Sequence, residues 1–237
     1  MNIVERVADS VKIRNIIISV SDKTGLEDFV TGLVRAAPGV TIFSTGGTYA
    51  RLRDIFSGGD FDSVPGKGSL VPVSDYTGQP EMQGGLVKTL DFKIYLGLLS
   101  EPFNPSHEAD LKRTGAVEID MVVANLYPFQ ATVADKGCTL ERARSNIDIG
   151  GPCMLRASAK NYLRVASVCD PGDYPGIIAE LEASAGELSL STRFELARKS
   201  FAHTAAYDTA VSTYLAGVDP RGLGGEYTLS PETGEAQ

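Results

Sequence analysis

From Ile13 to Val20 the chain reads IRNIIISV, a β-branched run too continuous for a strand with one wet face and suited to a sheet covered on both sides. The polar stretch Ser21-Asp22-Lys23-Thr24-Gly25 ends it, and Leu26, Phe29, Val30, Leu33 and Val34 then fall at helical spacing. Thr24-x-x-Glu27 predicts a capping box at the start of that helix. A second short strand, Val40–Ser44, runs into Thr45-Gly46-Gly47-Thr48 and a helical stretch over Tyr49–Ile55. Strand, glycine-bearing turn and helix, repeated before Phe56, is the βαβ rhythm of a parallel sheet.

The turn-forming residues of SGGDFDSVPGKG, 57–68, read as an exposed loop. Further strands are expected at Leu70–Val73, Met121–Asn125 and Val165–Cys169, and helices at Ser106–Thr114, Leu140–Asn146, Gly151–Tyr162 and Tyr174–Ala185. From Thr192 a long amphipathic pattern carries Phe194, Ala197, Phe201, Ala205, Tyr214 and Leu215. Beyond Gly217 glycine, proline and acidic residues dominate. The expected organisation is one α/β domain over 1–216, with a helical part at about 192–216, and a flexible tail over 217–237.

Composition narrows what such a sheet can serve. The 237 residues are 43% hydrophobic and 22% charged, the balance of a globular protein with a sizeable core. A net charge of −8 argues against binding nucleic acid or an anionic membrane, while leaving room for a small anion held by a local cluster of donors. Cys138, Cys153 and Cys169 form no C-x-x-C, and only His107 and His203 accompany them, so no metal site is expected. No apolar run reaches a membrane span and the N-terminus has no signal-peptide core, which points to a cytoplasmic protein.

Ligands of open α/β sheets bind beyond the carboxyl ends of the strands. Four polar segments fall there: Ser19–Gly25, Ser44–Thr48, Gly84–Thr89 and Asn125–Pro128. The first two offer hydroxyls, Lys23 and helix-start N–H groups, the parts of an anion cradle, although capping and tight turns account for the same residues. No Walker A pattern occurs. Asp148 and Lys160 flank a helix, so a direct pair between them requires an irregular start at Gly150-Gly151-Pro152. Spacing alone supports an anion site with candidate Lys, Tyr and Asp groups.

Seven segments occur in one order over 17–208: SVSDKTGLEDF, STGGT, VSDYTGQPEM, GLVKTL, NLYPF, NIDIGGPCMLRASAKN and KSFAHTAAYD. Together they resemble the IMP cyclohydrolase domain of the bifunctional purine-biosynthesis enzyme that also carries aminoimidazolecarboxamide ribonucleotide (AICAR) transformylase. The resemblance implies a methylglyoxal-synthase-like three-layer α/β fold with a mainly parallel sheet, a homodimer, and no cofactor. It implies ring closure of 5-formamidoimidazole-4-carboxamide ribonucleotide (FAICAR) to IMP and water. The chain ends about where the transformylase domain would begin, so that activity is expected to be absent or to reside in a separate AICAR transformylase.

By motif, the resemblance assigns Ser19, Ser21, Lys23, Ser44, Gly46, Gly47 and Thr89 to the 5′-phosphate. It places Lys88 and Tyr127 at the formyl oxygen, Asp148 and Lys160 at the carboxamide, and Asn125, Ile149 and Gly150 along the base pocket; which of Lys88 and Asp148 moves which proton stays open. The family reads G-R-V-K-T-L-H-P-x-x-H-x-G where this chain has Leu86, Asp91, Phe92 and Tyr95 in place of the arginine, a histidine, the proline and a second histidine. Tyr95, Lys93 and Arg113 are candidates to compensate. The alternative expectation is a non-catalytic nucleotide-binding regulatory module of the same fold.

Overall fold

The computed structural model of the chain describes residues 2–57, 68–79, 89–228 and 230. Two units are distinguishable: Met1–Leu126 with Asp148–Thr204, and Tyr127–Ile147 with Ala205–Gln237.

The first unit is built on strands β2 (Asn15–Val20), β3 (Thr41–Ser44), β4 (Ser69–Pro72), β5 (Met121–Asn125) and β6 (Ala166–Val168). They form one parallel sheet in the order β4-β3-β2-β5-β6. The continuous apolar run around Ile16 therefore sits in the centre, where both faces are covered. Ile16, Ile18 and Val20 pack with Leu26, Phe29, Val30 and Leu33 of α1 (Leu26–Ala36) and with Ile177 and Leu181 of α9 (Tyr174–Ala183). On the other side, α4 (Phe92–Leu99) lies against α8 (Gly150–Lys160), which covers β5 and β6. Gly97 of α4 approaches the loop before β5 so closely that a methyl group there would overlap the Val117 carbonyl. The α/β reading with a parallel sheet between helical layers holds.

Sheet ends are pinned by long-range polar contacts. Asp120 accepts from the backbone N–H groups of Arg14 and Asn15, both at 2.9 Å, and pairs with buried Arg164 at 3.3 Å. Burial pushes this carboxyl up despite those bonds. Arg193, fully buried in α10 (Leu190–Ala216), donates to the carbonyls of Ala8, Tyr162, Leu163 and Leu188. It thereby anchors the pair formed by β1 (Ser10–Lys12) and β7 (Glu187–Ser189), which run antiparallel.

Most expected elements occur within a residue or two of their bounds, with α2 extended to Gly46–Ser57 and α5 to Pro105–Thr114. The capping box does not form. Gly25 takes the N-cap at φ +67°, without a side-chain cap, and both the Thr24 hydroxyl and its N–H go to Asp22. Glu27 instead pairs with Arg51. The expected loop over 57–68 lies mostly outside the described residues.

In the second unit, α6 (Phe129–Ala134) and α7 (Leu140–Ser145) are connected to the end of α10. The Phe129 ring meets Tyr207 and Tyr214 edge-on at 6.2 and 5.8 Å, and the Tyr207 hydroxyl donates to the Asn146 carbonyl. A 3-10 turn at Pro220–Gly222 and α11 (Leu223–Glu226) follow. Among the described residues, no helix is long and apolar enough to cross a membrane.

Candidate functional site

Parallel register brings the loops after β2, β3 and β5 to one edge, since Ile18 lies opposite Ser44 and Val20 opposite Asn125. The Ser19 hydroxyl is 3.0 Å from that of Thr45, so the two loops share a hydroxyl pair at the sheet edge. Gly46 and Gly47 open α2, where the first N–H groups of a helix have no intrahelical partner. A side chain at Gly47 would meet only open space, which leaves the backbone approachable. Hydroxyls beside free helix-start donors can hold an oxyanion.

Not every expected donor faces that space. Ser44 is buried and gives its hydroxyl hydrogen to the Ile18 carbonyl at 2.7 Å, a bond that secures β3 to β2. The Ser21 N–H donates to Asn125 Oδ1 at 2.6 Å. The Lys23 ammonium lies 3.4 Å from the carbonyls of Val20 and Ser21, at the rim of the loop. Asn125 accepts from the N–H groups of Ser21 and Asp22 and donates to the Asp22 carbonyl, so its side chain is spent on shaping the β2–α1 loop.

The start of α8 supplies the neighbouring part. Asp148 accepts the Gly151 N–H at 2.9 Å, as a capping carboxylate does. Buried Thr89 lies over Gly150: a methyl group there would stand 2.5 Å from the Thr89 hydroxyl. One at Gly151 would stand 2.7 Å from both Asp148 Oδ2 and Leu126. Glycine at both positions lets Thr89, Asp148 and the residue after Asn125 converge. Ile149, between them, is 57% exposed.

Three further chemical groups are expected at this site. Lys88, like Leu86, lies outside the described residues. Tyr127 opens the second unit and is half exposed. Lys160 closes α8, eleven residues long, with Asp148 just before its other end; Gly150-Gly151-Pro152 is regular helix, so about 15 Å of axis separates them. No irregular start draws them together.

Among the departures from the family pattern, Asp91 has a structural occupation and Tyr95 is set into the interior. Asp91 caps α4, accepting the Lys93 N–H at 2.8 Å, and is held by Gln79 at 3.0 Å. Burial, with Cys153 nearby, pushes the Tyr95 phenol well up. Phe92 is exposed. Lys93 donates to the Tyr76 carbonyl at 3.2 Å, and Arg113 pairs with Asp110 at 2.9 Å. Sequence reasoning missed Thr45 and also Thr48, whose hydroxyl bonds both the N–H and the carbonyl of Val20 and fixes α2 to the end of β2. Their signal was present in STGGT, where hydroxyls bracket the glycines. Among the described residues, no group of three His, Cys, Asp or Glu side chains could hold a metal ion.

Comparison with known proteins adds independent findings. Residues 65–153 match the MGS-like domain family, and residues 158–234 match the AICARFT/IMPCHase bienzyme family. The chain is 49% identical over 222 residues to the bifunctional purine biosynthesis protein PurH of Magnetococcus marinus, and 48% identical over 223 residues to that of Neisseria meningitidis serogroup A. Each match covers 94% of this chain and 39% of the relative, so the chain spans well under half the length of these proteins. A crystal structure of ForH aligns with a TM-score of 0.68 and 31% identity, covering 86% of this chain and 99% of that one.

Proposed function

This chain belongs to the AICARFT/IMPCHase family, to its cyclohydrolase part, and from that premise we propose that it closes the ring of FAICAR to give IMP and water. The observation that carries the reading is the convergence at one sheet edge of the Ser19–Thr45 hydroxyl pair, the glycine-opened α2 and the Thr89–Gly150–Asp148 cluster. The proposed reaction calls for both parts: donors for the phosphate and a group to take a proton from the carboxamide nitrogen.

In the reaction, the carboxamide nitrogen attacks the formyl carbon and a C–N bond forms. The formyl oxygen takes up two protons and leaves as water; one hydrogen comes from the carboxamide nitrogen, which keeps its other, and one from the formamide nitrogen, which forms the new ring C=N bond. Holding two weak reactants together supplies much of the acceleration. The phosphate is assigned to Ser19, Lys23, Gly46, Gly47 and Thr89, with Ser21 and Ser44 shaping the loops through their backbone and sheet bonds. Asp148 orients the carboxamide nitrogen and accepts its proton, beside Ile149 and Gly150. Lys88 and Tyr127 are assigned to the developing hydroxyl, where preorganised donors stabilise charge. An enzyme transferring a formyl group to the amine of AICAR must supply the substrate.

The test is direct: purified protein is mixed with FAICAR and IMP is followed by absorbance and chromatography. IMP formation well above the buffer rate supports the assignment, and a rate equal to buffer refutes it. A nucleotide-binding module is the second reading, favoured by the helix-capping and buried occupations of Asp91 and Tyr95. It predicts IMP binding without IMP formation.

A further inference from the structure

We propose that Gln79 and Asp91 are a positioning pair for the candidate site: together they fix where α4 begins and so hold Thr89 over Gly150. The inference rests on the reading of Thr89 as a contact to the phosphate. It starts from a departure that comes with its own partner. Where the family pattern has a histidine this chain has Asp91, 3% exposed, and its two carboxylate oxygens do different work. Oδ1 accepts the Lys93 N–H at 2.8 Å and caps α4, while Oδ2 accepts from the Gln79 amide at 3.0 Å. A neutral imidazole offers one acceptor nitrogen and could not take both bonds.

Gln79 is itself held. The short helix α3 (Val73–Thr77) ends at Gly78, whose φ of +75° lets its N–H reach the Ser74 carbonyl at 2.8 Å. The Gln79 N–H then donates to the Thr77 hydroxyl at 3.2 Å. A second tie runs beside the first. The Lys93 ammonium donates to the Tyr76 carbonyl at 3.2 Å, and the Tyr76 hydroxyl accepts the Val117 N–H at 3.0 Å. α3 follows β4, and β4 pairs with β3, the strand that leads into the glycines of α2. The first turn of α4 is therefore braced from the side of the sheet that supplies the phosphate loops.

The far end of α4 is fixed independently. Asn161 donates to the carbonyls of Leu98 and Ser100, both at 2.8 Å, and Arg164 donates to those of Gly97 and Ser100. A helix pinned at both ends leaves little freedom to the residues just before it. Thr89 and Asp91 are buried and Leu90 between them is exposed, the alternation of an extended stretch. Residues two apart in such a stretch share a face and stand about 6–7 Å apart, so a shift of Asp91 carries Thr89 with it.

The test is a change of charge followed by its reversal. Gln79→Glu alters an exposed side chain and sets a second carboxylate against Asp91 Oδ2. Adding Asp91→Asn rebuilds the bond with donor and acceptor exchanged, and the new amide oxygen can still accept the Lys93 N–H. IMP affinity is measured by calorimetry for wild type, both single variants and the double variant, with circular dichroism to confirm folding. Gln79→Glu should weaken IMP binding about tenfold, the scale of one charged hydrogen bond lost. The double variant should return to within about threefold of wild type, the coupling expected of residues in direct contact. In an active wild type the KM for FAICAR should follow the IMP affinity while kcat changes little, because the phosphate is remote from the reacting atoms. A pair that served the fold alone would lower Tm and leave IMP affinity as it was. Gln79→Glu binding IMP like wild type, a loss that Asp91→Asn leaves unrepaired, or a fall in kcat at constant KM overturns the pairing. A wild type that binds IMP and forms none refutes the ring-closure reading, and the affinities still decide the pair; a wild type that binds no IMP overturns both.

Discussion

Lys23 sits with its ammonium against two carbonyls of a loop that Asn125 braces from the next strand. It is placed to swing out to a phosphate without disturbing the strand. A contact to a phosphate remote from the reacting atoms is equally strong in ground and transition states. Lys23→Ala should therefore raise KM with little change in kcat, measured by steady-state kinetics; an unchanged KM with a lost kcat would move Lys23 into the chemistry. Lys88 is assigned the opposite signature. Lys88→Met removes the charge and keeps the stem, so kcat should fall ~10²–10³-fold while IMP affinity changes little. A folded variant retaining more than about half its kcat would remove Lys88 from the catalytic set. At this scale the sequence displayed residue types but not their partners. Ser44 and Asn125 look like ligand groups in a motif, and only the register of β2, β3 and β5 shows where their hydrogen bonds go.

Helix starts carry the site, and α8 shows how tightly. Gly150→Ala puts a methyl group 2.5 Å from the Thr89 hydroxyl, and one of the two must move. Overpacking of this kind costs about 1–3 kcal/mol. Chemical denaturation should show that loss, together with a raised KM; an unchanged KM would take Thr89 out of the phosphate set. The other helix with a legible electrostatic role is α10, whose Lys199 bonds Asp170 at 2.7 Å and Asp173 at 2.8 Å beyond the end of β6. Burial opposes the Lys199 charge, yet the two carboxylates raise its pKa to about 12, and the Lys199 bond is the main cause holding the Asp170 carboxyl below 3.8. A depressed carboxyl stabilises the fold above its unfolded pKa and loses that contribution as pH falls through its folded one; a raised ammonium does the reverse at high pH. Lys199→Met should lower Tm most between about pH 5 and 9, with the difference from wild type fading below pH 3.8 and towards pH 12. A difference constant with pH would show that Lys199 acts through packing alone. Elements with a strong period were legible from the sequence. The capping box was misread because an Asp22-centred turn and Gly25 outcompete Thr24 at the same helix start. α4 was missed because its apolar residues crowd nearly every position, and β1 and β7 because three residues carry too little pattern.

Across the whole chain, the parallel sheet was visible in the βαβ rhythm and in the uninterrupted apolar character of its central strand. The contacts that lock its ends were not. Arg193 reaching Ala8, and Arg164 reaching Asp120, depend on chain segments far apart in sequence and on carbonyls that every residue possesses. The candidate site was legible as a set of loops, while the separation of Asp148 from Lys160 emerged only once α8 proved regular from Gly150 onward. The central claim is that this assembly of loops performs ring closure and does not merely hold a nucleotide. Single-turnover reaction of FAICAR with the protein in excess, quenched and resolved for IMP, separates chemistry from slow release. The account predicts conversion of the bound FAICAR far faster than in buffer, and a rate greatly reduced by Asp148→Asn while IMP still binds. FAICAR that binds and stays unconverted at the buffer rate would contradict it.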